Sequence, residues 1–433
     1  MSDEVLAEPK EQLPLPAPDS AEQLSMGAVL RIPTMRRLWL AQIVSVFGDF
    51  LALFAVITVM TFRLHATAQQ VTGIQIAYLL PIALLGIISG VFVDRWPVKM
   101  TLVGSDYVRA CLCLLLLLVH NVYGFYAVLA AISVFSSFFS PAQGIAIRSA
   151  VPLNGLRSAN SVMQQVMFVM RIIGGPTATF IVAHLGEKTC YIVDSVSFVA
   201  SGTLIASLAL IVPATPKSQA SVVKEELSGI ARILEDMKEG AGFIFHHAAL
   251  FFVIIALASG MFVMGCFGPL IAIFVRDNLH ASTATFGLAS AMIGIGLLLG
   301  ITILNIVAKG MKNTTLVYFG LGGIAVGTLM MAVAPHVWTT ILGCFVIGFA
   351  TGGIIIPSQT MIQTETPPAM LGRVGSTVMS LIFSAQIAGL ILSGILAEHT
   401  SVRRVFALCT VMLAVLMAAG KLWMEPKAHP ASA

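Results

Sequence analysis

The chain has 433 residues, of which 58% are hydrophobic and only 10% charged, whereas an ordinary soluble domain carries about 25% charged residues. That composition excludes a soluble globular protein and requires an integral membrane protein. The formal net charge of +4, from 24 basic and 20 acidic residues, says little about partners, and no nucleic-acid partner is expected.

Residues 1–35 form an acidic, proline-containing tail without the basic start and short apolar core of a signal peptide. A stretch of roughly 20 apolar residues crosses about 30 Å of hydrocarbon. Twelve such stretches follow, near 38–62, 74–93, 100–119, 123–147, 161–183, 191–212, 250–275, 286–307, 316–333, 339–362, 374–397 and 405–423. All should be helices, because only helices and closed barrels satisfy backbone polar groups in lipid. The expected fold class is therefore an all-α membrane protein with halves at 36–212 and 248–424 and a tail at 425–433. Between the halves, residues 213–247 are polar, and Leu227, Ile230, Ile233 and Leu234 recur there at helical spacing between charges. This linker reads as an amphipathic helix on the membrane surface or a solvated connection.

With the N-terminus inside, the inner segments collect most of the lysines and arginines, among them Arg36, Arg37, Arg95, Lys99, Arg148, Arg157, Lys312 and Arg373. The outer loops hold only Arg63, Lys188, Arg276, Arg403 and Arg404, so both termini are expected in the cytoplasm. Six cysteines without C-x-x-C spacing read as small core residues, with no metal site implied. No H-E-x-x-H, G-x-S-x-G or phosphate-binding G-x-x-x-x-G-K-[ST] motif is present, so neither an enzyme nor an ATP-driven pump is expected.

Sliding the sequence against itself by 216 residues aligns Pro141 with Pro357, Gln143 with Gln359, Pro152 with Pro368 and Arg157 with Arg373. This is the mark of an internal duplication. Parallel six-helix repeats are a transporter architecture with the substrate between the halves.

A few charges stand inside the apolar stretches. Asp49 lies 12 residues beyond Arg37, or roughly 18 Å at 1.5 Å per residue, close to the midplane. Arg171 lies at similar depth in the fifth stretch, and Asp106 and Arg109 stand at i,i+3 in the third, where they can neutralise each other structurally. Asp194 falls near the outer end of the sixth. Intramembrane charge costs about 2.5–3.5 kcal/mol at the helix centre, so each such residue should face a cavity or a partner. Gln42, Ser45, Gln75, Gln164, Gln165 and Gln386 sit at plausible cavity depth. Among Met- and Phe-rich walls they suit an amphipathic organic substrate better than a sugar or small ion.

The segment GVFVDRWPVK, from Gly90 to Lys99, resembles the inner-loop signature of the major facilitator superfamily. Trp96 and Pro97 stand where that signature has a glycine and a basic residue. Gly90 would let the second helix approach a neighbour, and Asp94 would face the helix N-terminus near Gly372 and Arg373. Arg95 and Lys99 would tie this inner latch to other loop charges or to anionic lipid. AQIVSVFGD, FFSPAQGIAIRSAVP, YIVDSVSF and EGAGFIFHH are similar to the branch of enterobactin exporters and macrolide-efflux proteins. IIGGPTATF resembles part of the Gly-Pro signature of the antiporters.

The resemblance implies two pseudo-symmetric six-helix bundles in a bacterial inner membrane, acting as a monomer. It implies proton-coupled efflux of amphipathic small molecules without a cofactor other than the proton gradient. Patches similar to lysophospholipid transporters keep that activity as the alternative. In the superfamily's arrangement the first and fifth helices border the cavity and the third and sixth are peripheral. That makes Asp49 and Arg171 the expected functional pair, in which Asp49 either titrates during transport or forms a permanent bridge.

Overall fold

The computed structural model describes residues 24–93, 96–208, 238–307, 311–367 and 370–424. Within the described residues each expected apolar stretch corresponds to one helix, the sixth ending at Ala206. The first bundle is α1 (Pro33–Thr58), α2 (Ala68–Val93), α3 (Val98–Leu115), α4 (Val122–Ala150), α5 (Leu156–Leu185) and α6 (Glu187–Ala206). The second is α7 (Ala248–Asp277), α8 (Thr283–Val307), α9 (Asn313–Val333), α10 (Val337–Glu365), α11 (Leu371–His399) and α12 (Val402–Met424). All twelve are long and apolar enough to cross a membrane, and the described residues contain no strand. An even number of crossings puts both termini on one side, here called the terminal side.

Local chemistry sets the ends. Pro33 opens α1, where its missing N–H costs no helical bond. Asn121 caps α4 by accepting from the Gly124 N–H at 2.6 Å. The aligned prolines of the duplication both stand inside helices, Pro141 in the last third of α4 and Pro357 in the last third of α10. Residues 1–23 and 425–433 of the expected tails and most of the linker lie outside the described residues, including Leu227, Ile230, Ile233 and Leu234. Only a helical run over 238–246 represents the linker.

The packing repeats as the sequence does. In the first bundle α1 packs on α5 and α6, α2 on α4, and α3 on α4 and α6; in the second, α7 packs on α11 and α12, α8 on α10, and α9 on α10 and α12. Advancing every label by six converts one set into the other. The same operation relates the two seams that join the bundles, α5 on α8 and α11 on α2.

Both seams are tight from the membrane middle to the side opposite the termini. A β-carbon on Gly294 would meet Ile172, one on Gly287 would meet Thr179, and one on Gly394 would meet Thr72. Toward the terminal side the seam helices expose Gln164, Gln165, Thr302, Ser380, Ser384 and Leu84. The bundles thus part toward the termini.

A clasp holds the opposite end. The last turns of α1 loosen into a π-helix, Val59–Arg63, which frees the Thr61 carbonyl from regular pairing. Arg276, near the end of α7, donates to the carbonyls of Thr61 at 2.7 Å and Ala66 at 2.9 Å, and Asp277 steadies it from behind. Hydrogen bonds from a charged donor contribute about 1.5–3 kcal/mol. Arg276→Ala should therefore raise opening on this side about tenfold or more. The readout is labelling of a Phe62→Cys reporter, in a background without native cysteines, by a maleimide added from that side. Equal labelling rates with and without Arg276 would show that the clasp does not hold the seam.

Candidate functional site

The site is assembled by helix faces that are polar only once per turn. On α3, Asp106, Arg109 and Cys113 share one face; on α6, Asp194, Ser197 and Ser201 share another. Gly48 brings α1 close enough to complete the cluster. A β-carbon there would fall 2.1 Å from Ser197 Oγ and 2.4 Å from Asp194 Oδ1, so any larger residue would push α1 off α6.

Arg109 is the centre. One Asp106 carboxylate oxygen pairs with its guanidinium, while the other accepts from Ser201 Oγ at 2.7 Å. The same guanidinium reaches Asp49 Oδ2 at 4.0 Å, a charge contact longer than a hydrogen bond. It is flanked by Phe139 of α4 and Phe198 of α6, with ring centroids 4.5 and 4.3 Å from Cζ. Such cation–π contacts strengthen when desolvated, and the Arg109 side chain is only 4% exposed. Asp194, at 1% exposure, accepts from Cys113 Sγ at 3.0 Å and from Ser197 Oγ at 3.4 Å.

Three carboxylates thus share one arginine, and Asp49 interacts electrostatically with both Asp106 and Asp194. Fully ionised, the cluster would hold an excess of negative charge in a low-dielectric region, an arrangement suited to taking up a cation or a proton. Asp106 is sealed, but the Asp49 side chain is 20% exposed. It is the member through which the cluster meets the outside.

The structure redistributes the expected roles. Asp106 and Arg109 form the expected pair, but not in isolation: Arg109 also faces Asp49. The expected partner of Asp49, Arg171, is on α5, and its side chain lies outside the described residues. The described partner is Arg109 of α3, a helix expected to be peripheral. The reason is rotational: Gly48 packs on α6, which turns the neighbouring Asp49 toward the α3 side of α1.

Gln42 accepts from Gln143 Nε2 at 2.5 Å, and its own amide approaches Met167 Sδ at 3.9 Å. Gln143 was visible only as a member of the repeat. Ser45 is buried and donates to the Gln42 carbonyl of its own helix, so it does not face the space between the bundles. Gln164 and Gln165 are exposed on α5, and Gln165 Nε2 reaches Met26 Sδ at 3.5 Å. Gln75 lies across from Gly268 of α7, and Gln386 holds its backbone against Gly265. These two contact α7 one turn apart.

Of the inner latch, Asp94 and Arg95 lie outside the described residues. Gly90 belongs to α2, Lys99 to α3, and Gly372 and Arg373 to α11. Arg373 pairs with Glu239 of the linker's helical run at 2.5 Å, an attachment within the second half of the chain. All six cysteines are free thiols, and no metal-holding group of His, Cys, Asp and Glu exists among the described residues.

The comparisons with known proteins agree with this architecture. The chain is 26% identical over 402 residues to the uncharacterized MFS-type transporter YfiS of Bacillus subtilis (strain 168), covering 90% of this chain and 93% of that protein. It is 23% identical to macrolide efflux protein A of Streptococcus pyogenes, over 87% of this chain and 92% of the other. It is likewise 23% identical to the enterobactin exporter EntS of Escherichia coli O1:K1 / APEC, over 88% and 89%. Among solved structures, a POT family transporter in complex with 5-aminolevulinic acid superposes with a TM-score of 0.70 at 11% identity, over 90% of this chain and 95% of that one. The family model described as transmembrane secretion effector matches residues 24–431. With twelve membrane helices in two related bundles and a match along nearly its whole length, the chain belongs to this transmembrane secretion effector family of the major facilitator transporters.

Proposed function

We propose that the chain is a proton-coupled exporter of amphipathic small molecules of the drug, macrolide or siderophore type, working by alternating access. The observation that carries this reading is Asp49: a carboxylate at mid-membrane depth, partly exposed, on the edge of a sealed cluster with too few positive charges. With both termini cytoplasmic, as the lysine and arginine distribution favours, the bundles part toward the cytoplasm and admit substrate from that side. Ionised Asp49 is held by Arg109. A proton arriving from the far side removes that attraction and frees α1's cavity face for the return step. Proton and substrate then take turns, which is the logic of exchange. Apolar walls with single polar contacts such as Gln42 and Gln143 match amphipathic molecules, and the efflux proteins among its relatives share the class.

The test is uptake by everted membrane vesicles bearing the protein, with a labelled macrolide and an imposed acid-inside gradient. The expected result is gradient-dependent accumulation that a protonophore abolishes. Accumulation indifferent to the gradient would overturn proton coupling, and uptake of labelled lysophospholipid in place of the macrolide would favour the lipid-transporting alternative.

A further inference from the structure

At the far end of the first bundle, away from Asp49, the π-helix that follows α1, the segment after α3, and the starts of α4 and α6 surround a half-open cavity of about 170 Å³. This is below the roughly 300–1,000 Å³ of a drug-sized site and has room for a headgroup-sized ligand. Its floor is apolar, with Val59, Leu116 and Phe125. Its rim carries Arg63, Lys188, His120 and Glu187.

Three features of the rim favour a ligand that brings oxygen acceptors. Arg63 pairs with Glu187, yet its side chain remains 53% exposed, leaving N–H groups for another partner. Lys188 is exposed beside it. Gly186, at φ +84°, turns the chain sharply into α6, whose start has no side-chain cap; the amide dipoles there present positive charge.

The decisive group is Tyr191. It lines the cavity, is 1% exposed, and its hydroxyl has no hydrogen-bond partner among the described residues. A buried hydroxyl left unmatched is costly and awaits an acceptor. The outer flank is equally informative: Leu118 and Ile192 beside the cavity are 73% and 46% exposed, a surface for hydrocarbon at a helix end.

We infer that this cavity binds a phosphate ester carrying an apolar tail: its phosphate oxygens accept from Arg63, Lys188 and Tyr191, and its tail lies along Leu118 and Ile192. Bilayer phospholipid of the far leaflet is the source that fits this placement, and a soluble phosphate ester shares the headgroup chemistry. None of its residues belongs to the charge cluster, so the site does not rest on the proposed proton coupling, while Val59 and Arg63 share the π-helix whose Thr61 carbonyl accepts from Arg276 in the clasp.

The experiment uses the purified full chain in nanodiscs of phosphatidylglycerol mixed with a neutral glycolipid, released into native mass spectrometry. Phosphatidylglycerol should remain bound to the parent protein in preference to the glycolipid. Lys188→Gln and Tyr191→Phe should each lower its occupancy about fivefold, the worth of one hydrogen bond. Lys188 is exposed, so its variant tests the site without disturbing the fold, and unchanged melting temperatures verify this. Displacement of the lipid by glycerol 3-phosphate would support the phosphate chemistry with a soluble source; resistance to it would support the bilayer source. Equal retention of glycolipid and phosphatidylglycerol, or undiminished retention in both variants, would overturn the inference.

Discussion

Arg109→Gln should destabilise the first bundle more than any other single substitution in the membrane region. Glutamine removes the only described positive charge that faces Asp106 and Asp49, and it leaves Phe139 and Phe198 without the cation between them. Breaking a buried ion pair by deleting one partner costs about 3–5 kcal/mol, since the other charge stays behind unmatched. The expected outcome is a sharp drop in melting temperature in detergent and in the yield of monodisperse protein. Asp106→Asn added to the same chain removes the stranded acid, and the double variant should recover much of the loss. An Arg109→Gln protein as stable as its parent would mean that the guanidinium does not organise this core.

Asp49→Asn should do the reverse, sparing the fold and stopping the work. The amide keeps the volume of the carboxylate, and Asp106 still holds Arg109. Coupling between a bound proton and a conformational step is worth about 1–3 kcal/mol, so gradient-driven transport should fall about tenfold when the titrating group is removed. Its dependence on pH, from mildly acidic to mildly alkaline, should flatten as well, because the group that binds and releases the proton is gone. The rival role, a permanent bridge between α1 and α3, gives a different pattern: a lower melting temperature and a surviving pH profile. Measuring both quantities on one variant separates the two.

Much of this was legible in the residues. Hydropathy located twelve spans, because the length of an apolar run is all that the bilayer demands of it. The duplication was equally plain, since Pro141 and Pro357 mark corresponding helices. The Asp106–Arg109 contact followed from an i,i+3 spacing that any α-helix brings together. The approach of Asp49 to Arg109 was not legible, for a specific reason. Helices that are apolar on nearly every face carry little information about their rotation, and it is rotation that brings Asp49 to the α3 side. Gly48, adjacent in sequence, holds that information, but only as a close approach to Ser197 and Asp194 that no spacing rule announces. Asp194 carried a quieter signal, since Ser197 and Ser201 follow it three and seven residues on, along one helix face. The same rotation buried Ser45, which depth alone had placed at the cavity.

The contact at Gly48 has a mechanical meaning. With no room for a single extra carbon between them, α1 and α6 pack as a close pair, so a change of charge at Asp49 arises beside the contact that joins them. It would be expressed first as a swing of one short side chain, away from Arg109 and toward the open space, and then as a displacement of the closely packed pair. Asp49 would then work as a trigger mounted on a stiff frame, and the stiffness would come from a glycine.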